Sequence, residues 1–227
     1  MLLKYKFLYL LFYMGFTNLM QAQANYDSSY LTTYYEQKVS MFRLLPDTKG
    51  EIIFLGNSIT DIGEWAEIWN NIQVKNRGVS SDNTFGVLAR LDEVLSAKPA
   101  KLFIMIGIND IAKNIPDTVI LSNYQKIIDR VAKESPSTQL FVQSILPVNK
   151  AFTDFKRHQY KDEHIILINT QLQAYCNEKN IRFVNLYPHF LDENKQLSKQ
   201  YTNDGLHLNG NGFMNWKSIL ITEKLMK

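Results

Sequence analysis

Residues 51–60 read Glu-Ile-Ile-Phe-Leu-Gly-Asn-Ser-Ile-Thr. Four consecutive apolar residues, Ile52 to Leu55, are followed at once by a glycine, which permits a tight turn. A short apolar run closed by a turn residue is typical of a strand that is buried on both faces. The stretch therefore predicts a central strand of a parallel sheet, with Asn57 and Ser58 directly beyond its carboxyl end.

The rest of the chain alternates short apolar runs with longer amphipathic segments. The other predicted strands are Ile72–Lys75, Leu102–Ile106, Leu140–Ser144 and Ile181–Asn185. The predicted helices are Tyr26–Leu45, Glu64–Asn70, Thr84–Leu95, Val119–Glu134, Asp162–Lys179 and Gly212–Met226. This alternation favours α/β architecture, a five-stranded parallel sheet with helices on both faces. With the common strand order 2-1-3-4-5, ligands would bind beyond the carboxyl ends of the first and third strands.

The 227 residues, 45% of them apolar, are enough for one α/β domain with a continuous core. We predict a leader over residues 1–24, an N-terminal helical arm over 25–50 and one main domain over 51–227. The leader has two lysines, an apolar run over 7–16 and the small-residue site Ala22-Gln23-Ala24, which is typical of an export signal that is cleaved after Ala24. An uncleaved anchor is disfavoured, because the run is shorter than the roughly 20 residues that span a bilayer. We expect a periplasmic or secreted protein without stable membrane insertion after leader removal.

The charge balance gives no indication of a polyanionic partner. Without Lys4 and Lys6 of the leader, 23 of the 25 basic residues remain against 22 acidic ones. A net charge near zero offers no reason to expect nucleic acid or an anionic membrane surface. The single cysteine, Cys176, cannot form an intramolecular disulfide, and its helical pattern indicates a small buried side chain.

Ser58 is a candidate nucleophile, although a serine after a strand is more often a turn or cap residue. A serine nucleophile requires a base. The stretch Tyr201–Asn209 offers one, because Asp204 and His207 are three residues apart. One turn of chain could place the carboxylate on one imidazole nitrogen and leave the other for the serine. Alone, such a pair is more often an incidental feature of a surface loop.

Gly78 and Asn109 follow the second and third predicted strands. Ester hydrolysis develops negative charge on the carbonyl oxygen, and each preorganised N–H donor there contributes about 3–4 kcal/mol. A glycine lets its backbone N–H approach closely, and an asparagine offers a directed amide. Alone, the two would be a turn glycine and a helix cap, roles that are compatible with the catalytic ones.

Taken together, four blocks of the chain resemble the SGNH (GDSL-like) hydrolases: Ser58 in GNSIT, Gly78 in NRGVSSD, Asn109 in GIND, and Asp204 with His207 in DGLH. Each block is a common string, but their order and context all match. The resemblance spans about Glu51 to Trp216. It implies a flavodoxin-like three-layer α/β/α fold and hydrolysis of carboxylic esters without a metal or organic cofactor.

The resemblance also implies the residue roles. Ser58 would attack, His207 would take and return the proton, and Asp204 would orient His207. The oxyanion hole would be the N–H of Ser58, the N–H of Gly78 and the side-chain amide of Asn109. The block here reads Gly-Asn-Ser where the family usually has Gly-Asp-Ser, so that Asn57 replaces a carboxylate. We expect catalysis to survive this change, because the family's triad acid is a different residue.

Three residues near these blocks are candidates for the substrate pocket: Asn57, Trp65 and Arg77. The spacing of Trp65 and Trp69 is more typical of core packing, and Arg77 is more typical of a structural ion pair than of a substrate-carboxylate ligand. No metal site is expected, because His158, His164 and His189 lack zinc-ligand spacing and fit solvated positions better.

The blocks most resemble the platelet-activating-factor acetylhydrolase-like and sialate O-acetylesterase-like branch. This implies a small-molecule or glycan ester as the substrate, with a short, acetyl-like acyl group removed from extracellular or periplasmic glycans. Two alternatives stay open: a lysophospholipase or thioesterase with the same triad, and a non-catalytic glycan-binding module on the same fold.

Overall fold

The computed structural model describes residues 28–227. The predicted leader lies outside the described residues, so that export and cleavage after Ala24 remain predictions. Over 28–227, no helix has both the length and the apolar character that crossing a membrane requires.

The core of the fold is one sheet of five parallel strands. They are β1 (Ile52–Gly56), β2 (Val74–Gly78), β3 (Lys101–Met105), β4 (Gln139–Gln143) and β5 (Arg182–Val184). The order is β2-β1-β3-β4-β5, which confirms the predicted class and strand order. The register sets Gly56 beside Gly78 on one side and Met105 on the other. The carboxyl ends of β1, β2 and β3 therefore lie level with one another, and the three loops that follow them leave the sheet side by side.

Nine α-helices surround the sheet in the described part of the chain. They are α1 (Thr33–Leu44), α2 (Ser58–Asp61), α3 (Trp65–Ile68), α4 (Thr84–Ala89), α5 (Leu91–Ser96), α6 (Ile108–Ala112), α7 (Asp117–Glu134), α8 (Asp162–Glu178) and α9 (Gly210–Thr222). The short helices α2 and α6, which begin directly after β1 and β3, were not predicted.

The core packs mainly through aromatic and aliphatic side chains of the central strands. Phe54 of β1 stacks on Trp65, with ring centroids 3.9 Å apart, and on Phe103 of β3 at 4.9 Å. Trp216 of α9 meets Trp65 edge-on at 4.8 Å. Such ring pairs contribute about 0.5–1.5 kcal/mol beyond the burial of their area. They hold β1, and with it the start of α2, in a rigid setting.

The helix predicted over Thr84–Leu95 is two helices, because the chain breaks its regular course at Arg90. The Arg90 side chain is fully buried. Its Nε donates to Asp82, and its Nη2 donates to the carbonyl oxygens of Gly56 and Arg77. The N-cap of α4 is Asn83, whose side chain accepts from two backbone N–H groups of the helix. Both features depend on hydrogen bonds that a periodicity pattern does not reveal.

The N-terminal arm packs on the domain through α1, which is shorter than the predicted helix over 26–45. Tyr35, Val39 and Phe42 form a second apolar cluster with Val79, the residue after β2. The Tyr35 hydroxyl also donates to the Gly86 carbonyl oxygen at 2.8 Å. The arm therefore braces the loop after β2 from outside the sheet.

Candidate active site

Ser58 is the first residue of α2, directly beyond the carboxyl end of β1. Gly56 is required there, because a Cβ would lie 2.5 Å from the Met105 carbonyl oxygen of the neighbouring strand. Asn57 has extended backbone angles and caps α2, since its Oδ1 accepts from the Ile59 N–H at 3.0 Å. These two residues turn the chain sharply and set Ser58 at the edge of the sheet.

Asp204 and His207 share a short loop before α9 that is held by its own hydrogen bonds. Asp204 Oδ1 accepts from the backbone N–H groups of Leu206 and His207, at 2.9 and 2.8 Å. Gly205 has a φ of 86°, and a Cβ there would lie 2.6 Å from the Asn149 carbonyl oxygen. This left-handed turn brings the His207 ring into contact with the Asp204 carboxylate.

The structure brings Ser58, His207 and Asp204 into one hydrogen-bonded chain. Ser58 Oγ lies 2.9 Å from His207 Nε2, and His207 Nδ1 lies 2.7 Å from Asp204 Oδ2. Both contacts have the length that proton transfer from a serine to a carboxylate-oriented imidazole requires. The side chain of His207 is 16% exposed and that of Asp204 is 28% exposed, and Ser58 is half-buried, so all three residues keep some contact with solvent.

The Asp204 carboxylate is held in its charged form. Burial alone would raise its pKa, but the hydrogen bonds from the Leu206 N–H and from the ring and backbone of His207 outweigh it and lower the pKa. Because the carboxylate stays ionised near neutral pH, it can fix the Nδ1–H tautomer of His207. Nε2 is then the basic nitrogen that faces Ser58.

Asn109 lies in α6, which begins directly after β3. Its Nδ2 donates to the Asp82 carbonyl oxygen at 2.8 Å, which leaves one further amide hydrogen. The Ser58 N–H lies in the first turn of α2, where a helix offers it no acceptor. Ser58 and Asn109 therefore each keep an N–H donor for the predicted oxyanion contacts, which remain a prediction.

Gly78 does not fit the donor role predicted for it. Its N–H already donates to Asn76 Oδ1 at 2.7 Å. The glycine is needed for another reason, because a Cβ would lie 2.1 Å from the Asp61 backbone nitrogen. Gly78 therefore allows β2 to pack closely against α2, and the prediction that its N–H faces the oxyanion needs correction.

The turn over residues 79–82 offers a different backbone donor. The Asp82 N–H bonds to the Val79 carbonyl oxygen at 3.1 Å, and Ser81 has a φ of 67°. A positive φ at the third position is the geometry of a type II turn, whose own hydrogen bond leaves the Ser81 N–H unused. Asp61 Oδ2 accepts from Ser80, and the Asp82 carbonyl accepts from Asn109, so that the turn lies between α2 and α6. Ser81 was not predicted, because a donor with a closely approaching backbone was expected at a glycine.

His158 and Phe155 also belong to the site, which contradicts the prediction that His158 is solvated. His158 Nε2 lies 3.0 Å from Asn109 Oδ1. The Phe155 ring is edge-on to His207 at 4.8 Å and to His158 at 5.9 Å. Burial, together with the nearby His207 and Lys113, holds the pKa of His158 below its ordinary value. The neutral imidazole can then donate its Nε2–H to the Asn109 oxygen.

The structure places the three predicted pocket residues elsewhere. Asn57 is 1% exposed and caps α2, Trp65 is 1% exposed in the aromatic core, and Arg77 is 5% exposed. The Trp65 Nε1–H donates to the Thr60 carbonyl oxygen. Arg77 pairs with Glu93 at 2.7 Å and lies over the Phe42 ring. These contacts hold all three side chains in the interior of the domain rather than in a pocket. Arg77 forms the structural ion pair that the sequence favoured for it.

Asp61, at the end of α2, connects Ser58's helix with the N-terminal arm. It accepts from the Tyr34 hydroxyl at 2.7 Å, pairs with Lys38 at 2.8 Å and accepts from the N–H and hydroxyl of Ser80. Burial raises its pKa, but these donors outweigh burial and lower it. These bonds join the Asp61 carboxylate to the arm and to Ser80. Asp61 is therefore not the carboxylate that contacts His207.

Among residues 28–227, no group of three or more His, Cys, Asp or Glu side chains could hold a metal ion. His164 pairs with Asp117 at 2.8 Å.

Comparisons with known proteins identify the family to which the chain belongs. A model of the GDSL-like lipase/acylhydrolase family matches residues 54–213. The platelet-activating factor acetylhydrolase IB subunit alpha2 of Rattus norvegicus is 20% identical over 173 residues, which are 74% of this chain and 72% of that protein.

Solved structures agree in fold. A GDSL-like lipase from Bacteroides thetaiotaomicron is 25% identical, with a TM-score of 0.72 over 85% of this chain and 98% of the other. A Streptococcus pneumonia protein whose provisional name is platelet activating factor is 29% identical, with a TM-score of 0.78 over 91% and 98% of the two chains. The chain belongs to the GDSL-like lipase/acylhydrolase family and is an esterase.

Proposed function

We propose that the protein hydrolyses short-chain carboxylic esters, acetyl esters above all, through nucleophilic attack by Ser58. The observation that carries the proposal is the 2.9 Å contact between Ser58 Oγ and His207 Nε2, with Asp204 behind the imidazole at 2.7 Å. In the proposed reaction Ser58 Oγ attacks the ester carbon while His207 Nε2 takes the hydroxyl proton. His207 then gives this proton to the leaving alcohol, and an acyl-enzyme remains.

Water completes the cycle by the same route. His207 takes a proton from the water as its oxygen attacks the acyl carbon, and it returns the proton to Ser58 when the carboxylic acid leaves. Asp204 stabilises the imidazolium that forms in each half of the reaction. The oxyanion of each tetrahedral intermediate would be held by the N–H of Ser58 and the side-chain amide of Asn109. The Ser81 N–H is our proposed third donor in place of that of Gly78.

The acetyl preference rests on similarity. The relatives include the acetylhydrolase subunit from rat and, among solved structures, an acetyl xylan esterase that is 19% identical with a TM-score of 0.61. The proposed glycan substrate rests on the resemblance to the sialate O-acetylesterase-like branch combined with export. The proposed periplasmic or secreted location rests on the leader pattern of residues 1–24. The alternative, a lysophospholipase or thioesterase, has the same triad and differs in the acyl chain that it accepts.

Two measurements test the proposal. Ser58→Ala should lower kcat by at least about 10³-fold, because the nucleophile is lost while the fold is kept. An unchanged thermal transition would show that the variant is folded, and retention of kcat would overturn the role of Ser58.

Turnover of acetyl, butyryl and octanoyl p-nitrophenyl esters should fall with chain length, whereas a preference for octanoyl would support the alternative.

A further inference from the structure

A cleft of about 520 Å³ lies beside α6, next to the candidate active site. Four of its seven lining residues are cationic and none is acidic: Lys113, Lys156, Arg157 and Lys161. The whole chain has a formal charge of only +3, so this local excess does not follow from a generally basic surface.

These cations lack a directly paired carboxylate, although the buried Asp82 and Asp110 act on the charge of Lys113 from a distance. Within residues 28–227, none of the four makes a salt bridge, whereas Lys38, Arg77 and Arg90 each pair with an acid. Two of them are positioned by neutral oxygens: Lys113 Nζ donates to the Ser29 carbonyl oxygen at 2.6 Å, and Lys161 Nζ donates to Asn114 Oδ1 at 2.7 Å. An ammonium group has three N–H donors, so each keeps two for another acceptor.

The cleft borders two segments that carry residues of the candidate site, Asn109 and His158. Lys113 follows Asn109 by one helical turn, a rise of about 6 Å. Arg157 precedes His158, whose Nε2 lies 3.0 Å from Asn109 Oδ1. The charge of Lys113 also contributes to the lowered pKa of His158. A charge that lines the cleft therefore acts electrostatically on a residue of the candidate site.

We propose that this cleft binds an anionic group, a carboxylate or a phosphate, on the alcohol part of the ester substrate. The inference rests on the proposed esterase function and names the substrate class of the same site. An anion between Arg157 and Lys113 would hold the alcohol while the acyl carbon faces Ser58. Arg157 offers paired N–H donors that match the oxygens of either anion, and the lysines add charge.

The test compares acetyl esters of glucose, glucuronic acid and glucose 6-phosphate. We expect kcat/KM to be higher for at least one anionic ester than for the neutral one, and we expect salt to reduce this preference. In Lys156→Gln/Arg157→Gln, the ratio of anionic to neutral kcat/KM should fall about tenfold, since two exposed charge contacts are lost. The anionic ester whose kcat/KM ratio to the neutral ester falls more identifies the carboxylate or the phosphate as the preferred anion.

The matched control is Lys133→Gln/Lys179→Gln, which removes two exposed charges at the ends of α7 and α8. It should leave the ratio at the wild-type value. Equal turnover of all three esters by the wild type, or an unchanged ratio in Lys156→Gln/Arg157→Gln, would overturn the inference.

A binding measurement separates this inference from the proposed function. Glucose, glucuronate and glucose 6-phosphate are titrated into Ser58→Ala by calorimetry. We expect an anionic sugar to bind more tightly than glucose, and Lys156→Gln/Arg157→Gln in the same background should lose that difference. If no ester is hydrolysed but this selectivity is found, the esterase proposal fails and the anion site stands. If esters are hydrolysed and neither anion is bound more tightly than glucose, the anion site fails alone.

Discussion

Ser58 and His207 are 149 positions apart in the chain, and each is set in place by a neighbouring polar side chain. Asn57 caps the helix that begins at Ser58, and Asp204 accepts from the backbone of His207 as well as from its ring. An N-cap contributes about 1 kcal/mol to its helix. The two partners therefore approach each other from separately braced segments.

The Asn109 amide is oriented by His158. Because His158 Nε2 lies on Oδ1, the Nδ2 group faces the other way, towards Asp82 and the proposed oxyanion. His158→Leu removes this donor, and we expect kcat to fall about tenfold, the value of roughly one hydrogen bond. KM should change little, because the Asn109 amide is proposed to stabilise the transition state rather than the bound substrate.

The conservative variant separates positioning from packing. In His158→Gln the side-chain amide can still donate to Asn109, so most of kcat should return. Steady-state kinetics on p-nitrophenyl acetate measures both variants. Equal losses in the Leu and Gln variants, or full activity in the Leu variant, would contradict the positioning role.

Most of the candidate site was predictable from recognisable strings, but the NRGVSSD block led to Gly78 rather than Ser81, and a residue defined by space alone was missed. Ser58, Asn109, Asp204 and His207 lie in four short blocks whose order is informative. His158 lies in no block, and only the fold brings it to Asn109. One signal was available: the segment from β4 to α8 is long, and long loops often carry function.

At the scale of elements, apolar runs located all five strands, but tertiary contacts shifted their ends. The second strand was expected at Ile72–Lys75 and is Val74–Gly78, because Ile72 is 80% exposed while Val74 is buried. The short helices α2 and α6 are four and five residues long, too short to show a helical period. Their caps and the turns before them define them instead.

The arm helix α1 should contribute measurably to stability, because Phe42 is 6% exposed in the cluster with Val79 and lies under Arg77. Phe42→Ala should lower the free energy of unfolding by about 3 kcal/mol through lost burial and a cavity. Urea unfolding followed by circular dichroism measures the change.

Met41 provides the control on the same helix, since it is 57% exposed. Met41→Ala should change stability by less than about 0.5 kcal/mol. If the two variants were equally stable, the arm would not pack on the domain as described.

At the scale of the whole molecule, a buried polar layer lies beneath the site. Asp82, Arg90 and Asp110 are each 0% exposed. Arg90 ties Asp82 to the ends of β1 and β2, and Asp110 accepts from the Thr84 N–H and hydroxyl. Hydrophobic patterning does not predict such a layer, because charged residues are rarely buried unless they are paired.

This layer makes stability depend on pH. Burial raises the pKa of Asp110 to about 7, against the hydrogen bonds from Thr84. An unfolded aspartate has a pKa of about 3.9, so the folded state retains a proton that the unfolded state has released. The Asp110 contribution to stability is therefore full below about pH 4 and is lost as the pH rises through about 7.

Asp110→Asn removes this titration while keeping the size of the side chain. The stability of the variant relative to wild type should rise between pH 5 and pH 8, as measured by urea unfolding at both values. A difference that stays constant over this range would contradict the raised pKa.

The proposed esterase activity depends above all on the reactivity of the Ser58 hydroxyl. A fluorophosphonate probe forms a covalent bond with a serine that is activated by a base, and peptide mass mapping locates the label. We predict that the wild type is labelled at Ser58 and that His207→Ala is labelled there at least about 10³-fold more slowly. Labelling at a different serine, or an equal rate in the two proteins, would contradict it.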